Sequence, residues 1–145
     1  MQKSTREPWM PADAYGRSLP SFTVNLLVKE ISRSVGFYEK VLRGSVAYWD
    51  EDFASIKVAG VEFMLHADHT YDTHPWLEHL ASGELRGLGA ELRILGIDPD
   101  KAEARAREHA ANIIQPATDK PHGWREVMVA DPDGYVWAVG VSRKG

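Results

Sequence analysis

From Phe22 onward, apolar and polar residues alternate. Val24, Leu26 and Val28 fall on one side, Thr23, Asn25 and Leu27 on the other, a period of two that predicts a β-strand. The period then changes. Ile31, Val35, Tyr38 and Leu42 recur at spacings of four, three and four, one stripe of an amphipathic helix, and Gly44 is expected to close it in the left-handed conformation. Runs at 46–49, 53–58 and 61–66 predict three further strands, separated by the acidic turn 50–52 and by Ala59 and Gly60. The order is strand, helix, strand, strand, strand.

Residues 68–88 hold Pro75, Gly83 and Gly87 and read as a connector with a short helix near 76–80. The first pattern then returns. Leu92 and Ile94 alternate with Glu91, Arg93 and Leu95; Asp98 is a suitable N-cap before Pro99, and a helix is expected over 101–111 with Asn112 at its left-handed end. Strands are expected to begin at Ile113 and to run over 126–130 and 135–141, the last two joined by the turn Asp131-Pro132-Asp133-Gly134. A shift of 68 positions lays Thr23 on Glu91, Leu26 on Ile94 and Glu30 on Asp98. This is a repeat of pattern rather than of identity. Residues 1–20, with Pro8, Pro11, Gly16 and Pro20, carry no period and read as an arm. Its Trp9, Met10 and Tyr15 leave two readings open, an arm laid on an apolar surface such as a partner subunit or a loose terminus.

Composition narrows the class. In 145 residues, 43% hydrophobic and 26% charged with a net charge of −4, there is enough apolar material for a core, and general disorder is excluded. No apolar run approaches the roughly 20 residues of a membrane span, and the first 20 residues lack the apolar segment of a secretion signal. With no cysteine, disulfides, thiolate metal sites and a cysteine nucleophile are excluded. An acidic chain without a basic cluster has no footprint for nucleic acid. A cytoplasmic, soluble α/β domain without membrane or nucleic-acid partners is therefore expected.

One helix per half can cover only one face of its sheet. The uncovered faces carry Thr23 and Asn25 in the first half, Glu91 and Arg93 in the second, and such polar groups must meet water, a partner or a ligand. Glu62, Met64 and His66 share one face of the strand over 61–66, so they belong to the same set. Aromatic candidates for stacking on a planar ligand are Trp49 and Trp124, although core packing is the commoner use of tryptophan. Ala138 and Gly140 either leave room for a ligand or allow close sheet packing.

The segments Val28-Lys-Glu-Ile-Ser-Arg-Ser-Val-Gly-Phe-Tyr-Glu-Lys-Val-Leu42 and Gly123-Trp-Arg-Glu-Val-Met-Val-Ala-Asp-Pro-Asp-Gly-Tyr135 resemble the vicinal oxygen chelate superfamily, which holds glyoxalase I, extradiol dioxygenases, fosfomycin-resistance proteins and bleomycin-resistance proteins. The resemblance implies an α+β fold of two βαβββ modules in tandem (21–67 and 89–145) whose curved mixed sheets surround a cleft. It also implies a homodimer and a small-molecule ligand. Metalloenzymes of the superfamily place ligands at the start of the first strand and in the fourth strand of each module, positions that fall here on Thr23, Met64, Glu91 and Ala138. Only Glu91 is an ordinary ligand for a transition ion, and one carboxylate does not hold such an ion. The donor loss resembles the metal-free bleomycin-resistance branch, so no metal and no cofactor are expected. From the fosfomycin-resistance relatives, Glu126 and Met128 in the third strand of the second module, with His122 on the loop before, carry over as ligand contacts. Counting back from the turn would instead put Arg125 and Val127 beside Ala138.

Three imidazoles, His66, His69 and His74, lie within nine residues and form a separate metal candidate, weakened by a spacing that suits no helix face. Three functions compete. The first is a metal-independent binding protein for a cationic or aromatic molecule, with Glu62, Glu91 and Glu126 as its charges. The second is a lyase or isomerase-type enzyme, or a metal-dependent relative, in which Glu91 or Glu126 is the base and Arg93 or Asn25 steadies an enolate. The third is an interaction subunit with a filled cleft.

Overall fold

A computed structural model describes residues 9–144, so the first eight residues of the arm lie outside the described residues. The fold is α+β. Helix α1 (Ala12–Ser18) precedes β1 (Asn25–Val28), α2 (Ile31–Lys40), β2 (Ser45–Trp49), β3 (Phe53–Val58) and β4 (Val61–Ala67). After the connector, which holds α3 (Leu77–Leu80), come β5 (Glu91–Leu95), α4 (Pro99–Glu108), β6 (Asn112–Asp119), β7 (Trp124–Ala130) and β8 (Val136–Ser142). The strands form two four-stranded sheets, ordered β1-β4-β3-β2 and β5-β8-β7-β6, so the second sheet repeats the first. In each, the first strand runs parallel to the fourth and the other neighbours are antiparallel.

The 68-residue shift holds through the helices. Glu30 and Asp98 are their N-caps, and Ile31–Lys40 lies position for position on Pro99–Glu108. Asp98 accepts from the backbone N–H groups of Asp100 and Lys101, which satisfies two donors that a helix start leaves open. Both helix ends depart from expectation. The left-handed residues are Arg43 (φ 58°) and Ala110 (φ 55°), not Gly44 and Asn112. Gly44 is required for a different reason: a Cβ there would lie 3.0–3.2 Å from Val58, the Tyr38 carbonyl and the Lys57 carbonyl. Asn112 is the first residue of β6.

One core serves both modules. Ile31, Val35, Tyr38, Phe63 and Leu65 of the first are buried together with Ile94, Val127, Val129, Trp137 and Val139 of the second. Phe63 and Trp137 meet at 5.1 Å between ring centres, so the helix-covered faces of the two sheets point inward and their other faces point away from the shared core. The turn at Asp131 fastens the modules. Tyr38 Oη donates to Asp131 Oδ2 at 2.7 Å, and Trp137 Nε1 donates to Tyr38 Oη at 3.1 Å. The Lys29 backbone N–H donates to Asp133 Oδ1. The connector is tied down by Arg86, 8% exposed, whose guanidinium bonds Asp68 through both nitrogens at 2.6 Å and also the carbonyls of Leu27 and Leu80.

The arm read as aperiodic contains a two-turn helix. Seven residues are too few for a period to register or for a helix to be stable alone, and α1 is held by what it touches. Tyr15 is 6% exposed against the first sheet of its own chain, with its ring 5.3 Å from Phe53.

Candidate functional site

The open face of the first sheet carries Asn25, Phe53, Ser55, Glu62, Met64 and His66, and the arm divides it. Tyr15 Oη donates to Ser55 Oγ at 3.1 Å and approaches Glu62 Oε2 at 3.5 Å, so Glu62 sits beneath the arm. Burial, together with the Glu62 charge, raises the Tyr15 pKa. Trp9 stacks on Tyr48 with 5.2 Å between ring centres and 4° between planes. Between the arm and the uncovered half of the sheet lies a cavity of about 490 Å³, walled by Trp9, Tyr15, Tyr48, Phe53, Met64 and His66 among others. That volume lies within the range of small-molecule sites, and its aromatic walls suit one. A larger groove of about 580 Å³ follows the seam between α2 and the second module, on the side away from both open faces.

At the cavity wall, His66 Nδ1 is 2.7 Å from Asn25 Oδ1, and Asn25 Nδ2 donates to Tyr71 Oη at 2.7 Å. Burial lowers the His66 pKa below the ordinary 6.5, so the ring is neutral at neutral pH. Phe53 and Tyr71 flank it, with ring centres 5.1 and 5.9 Å away.

The open face of the second sheet carries a charged cluster. Arg93 bonds Glu91 Oε1 at 2.7 Å and Glu126 Oε1 at 2.6 Å, and its guanidinium lies 4.8 Å above the Trp124 ring. His122 Nε2 meets the same Glu126 oxygen at 2.7 Å. Glu126 is 2% exposed; burial pushes its carboxyl up, but the bonds from Arg93 and His122 outweigh that and hold it below the ordinary range. The bonds to Glu126 and Glu91 raise Arg93. Glu126 therefore stays ionised and is charge-compensated, which makes it a weak base.

Of the residues singled out in the sequence, Met64 and His66 reach the cavity, and Asn25 reaches it through His66. Glu91, Arg93, His122, Trp124 and Glu126 form the second-sheet cluster, beside which Met128 lies in register with Ala138. Val127 is fully buried in the core, and Arg125 instead pairs with Asp100 and Asp119. Thr23 lies outside β1 at the end of the arm, its hydroxyl donating to the Pro20 carbonyl. Trp49 packs against the core rather than facing a ligand. The reason is a bulge between Val46 and Tyr48 that shifts the register by one and turns Tyr48 to the open face in its place. Gly140 serves close packing: a Cβ there would fall 2.1 Å from the Arg125 carbonyl oxygen.

The metal candidates disperse. His69 pairs with Asp52 at 2.6 Å, His74 accepts from the Trp76 N–H, and His66 bonds Asn25. Among the described residues no three His, Asp or Glu side chains are grouped to hold an ion. The positions that the resemblance assigns to metal ligands hold Thr23, Met64, Glu91 and Ala138, and Glu91 already faces a guanidinium, so these residues do not fit a transition ion.

Comparisons with known proteins agree on the architecture. A sequence model described as "Glyoxalase/Bleomycin resistance protein/Dioxygenase superfamily" matches residues 21–139. No curated protein matches the chain. Among solved structures, a glyoxalase-related enzyme from Fulvimarina pelagi superposes with a TM-score of 0.65 at 16% identity, covering 83% of this chain and 86% of that one. A glyoxalase/bleomycin resistance protein/dioxygenase family enzyme from Burkholderia phytofirmans PsJN gives 0.65 at 17% identity, covering 83% and 96%. A genomically encoded fosfomycin resistance protein from Listeria monocytogenes gives 0.61 at 14% identity, covering 86% and 93%. At these identities the likeness is one of fold. The arm precedes the matched residues.

Proposed function

The chain belongs to the glyoxalase/bleomycin resistance protein/dioxygenase superfamily, and from that premise we propose that it binds a small organic molecule on the open faces of its sheets without a resident transition ion. The observation that carries this reading is the cavity of about 490 Å³ on the first sheet, apolar and aromatic with few polar groups. The donor set supports the second half of the reading, because the single carboxylate among the ligand positions, Glu91, is engaged by Arg93. A ligand bound only by the folded state raises the midpoint of thermal unfolding. Screening a broad library of aromatic metabolites and cationic glycopeptides by thermal shift is expected to return stabilising molecules, whereas Mn²⁺, Zn²⁺, Fe²⁺ and Ni²⁺ are expected to leave the midpoint unchanged. A library without a hit, or one bound equivalent of metal that is lost in Glu91→Ala, ends this proposal.

A second reading, a lyase or isomerase-type enzyme, draws on the His122–Glu126 pair. A carboxylate bonded to an imidazole orients it, and Arg93 beside it offers a cation to a developing enolate oxygen. In that case His122, rather than Glu91 or Glu126, is the base. Enzymes stand among the structures of similar fold. Loss of α-proton exchange on a carbonyl substrate in His122→Ala would identify it.

The protein is further proposed to act as a homodimer in the cytoplasm. Phe22 and Leu88, 81% and 82% exposed, offer apolar surface for a second copy. Light scattering after size exclusion decides the oligomeric state.

A further inference from the structure

Building on the proposed binding function, the first-sheet cavity also carries information about what fills it. Asn25 presents its carbonyl oxygen to His66 Nδ1 and its amide nitrogen to the Tyr71 hydroxyl oxygen. An amide oxygen only accepts, so the proton of the neutral imidazole lies on Nδ1 and Nε2 is left with an unshared pair. The aspartates at the cavity wall are already engaged. Asp50 accepts from the N–H groups of Asp52 and Phe53 and from the Tyr48 hydroxyl, and Asp52 pairs with His69. Neither Lys nor Arg lines the cavity among the described residues, so nothing there attracts a carboxylate or phosphate.

We propose that this cavity selects a flat aromatic molecule bearing an N–H or O–H donor, which lies between the arm and the sheet and donates its hydrogen bond to His66 Nε2. Phe53, Met64 and the Trp9–Tyr48 stack supply the apolar walls. Because the arm is part of the wall and precedes the residues matched by the superfamily, this preference belongs to this chain rather than to the fold.

The test is calorimetric titration of the full-length protein with 2-naphthol and with 2-methoxynaphthalene, repeated on His66→Leu. One hydrogen bond to a half-buried acceptor corresponds to roughly tenfold in affinity. The naphthol is expected to bind about tenfold tighter to the wild type, and the ratio is expected to fall close to one in His66→Leu while the ether still binds. Equal affinities in the wild type, or tighter binding of the ether, overturn the donor preference and leave the binding function standing. Absence of binding by both probes overturns it as well, and only when the whole library also fails does the binding function fall. Should His66→Leu not fold, nitrogen-15 chemical shifts of His66 in the wild type decide: a proton on Nδ1 supports the assignment and one on Nε2 sinks it.

Discussion

Asp131 is a buried carboxyl held far from its ordinary titration range. Burial pushes its carboxyl up to about 6, against the opposing bonds from Tyr38 and from the Tyr135 and Asp133 N–H groups. A carboxyl whose folded pKa lies above its unfolded value binds its proton more tightly in the native state, so its contribution is full below about pH 4 and is lost as pH rises through about 6. Against the ordinary 3.8 that window amounts to about 3 kcal/mol. Urea midpoints measured from pH 4 to 7 should show this fall in the wild type, and Asp131→Asn should remove it; an unchanged slope in the variant refutes the assignment. Arg93 acts in the opposite sense, keeping the 2% exposed Glu126 charged. Replacing Arg93 by Met leaves that carboxylate with His122 alone, which should cost about 2 kcal/mol at pH 8. Chemical denaturation at pH 8 checks this, and an unchanged urea midpoint would contradict it.

At the scale of elements, single residues decide which face a strand presents. The bulge in β2 exchanges Tyr48 for Trp49, and no alternation rule applied to 46–49 can anticipate it because the extra residue breaks the period of two. Gly140 lets β8 lie against β7 at Arg125. Gly140→Ala must move backbone rather than the tip of a side chain and should destabilise the protein by about 3 kcal/mol, read from the urea midpoint. A loss near that of an ordinary surface substitution would show that the strands can separate without cost. Helix α1 exists through tertiary contact alone. Tyr15→Ala is expected to release the arm, seen as faster amide exchange over 12–18, and to unwall the cavity that Trp9 and Tyr15 enclose.

The whole molecule is held together by the two segments whose motifs carried the resemblance. Phe37-Tyr38 in α2 and Asp131-Pro132-Asp133-Gly134 before β8 lie 93 positions apart at Tyr38 and Asp131, yet meet in one buried hydrogen bond. In this chain these two segments join the modules. Tyr38→Phe deprives the Trp137 N–H of its acceptor and Asp131 Oδ2 of its donor, both inside the core, and should cost about 3 kcal/mol. Thermal unfolding followed by calorimetry would show a lower midpoint; no change would mean that water replaces the hydroxyl. No helix among the described residues is long and apolar enough to cross a membrane.

Alternation and stripe spacing were enough to determine the order of strands and helices from β1 onward, the duplication and the buried faces of β1 and α2, because burial against a covering layer imposes its period on consecutive residues. Met64, His66, Glu91 and Arg93 were legible for the same reason: each alternates with a core residue on its own strand. What depended on distant contacts was not legible. The arm helix, the exchange at the β2 bulge, the tethering Arg86 and the pairing of His122 with Glu126 are settled by neighbours brought in from elsewhere in the chain. Local sequence sets which side of an element is apolar; only the packed chain decides what stands opposite it.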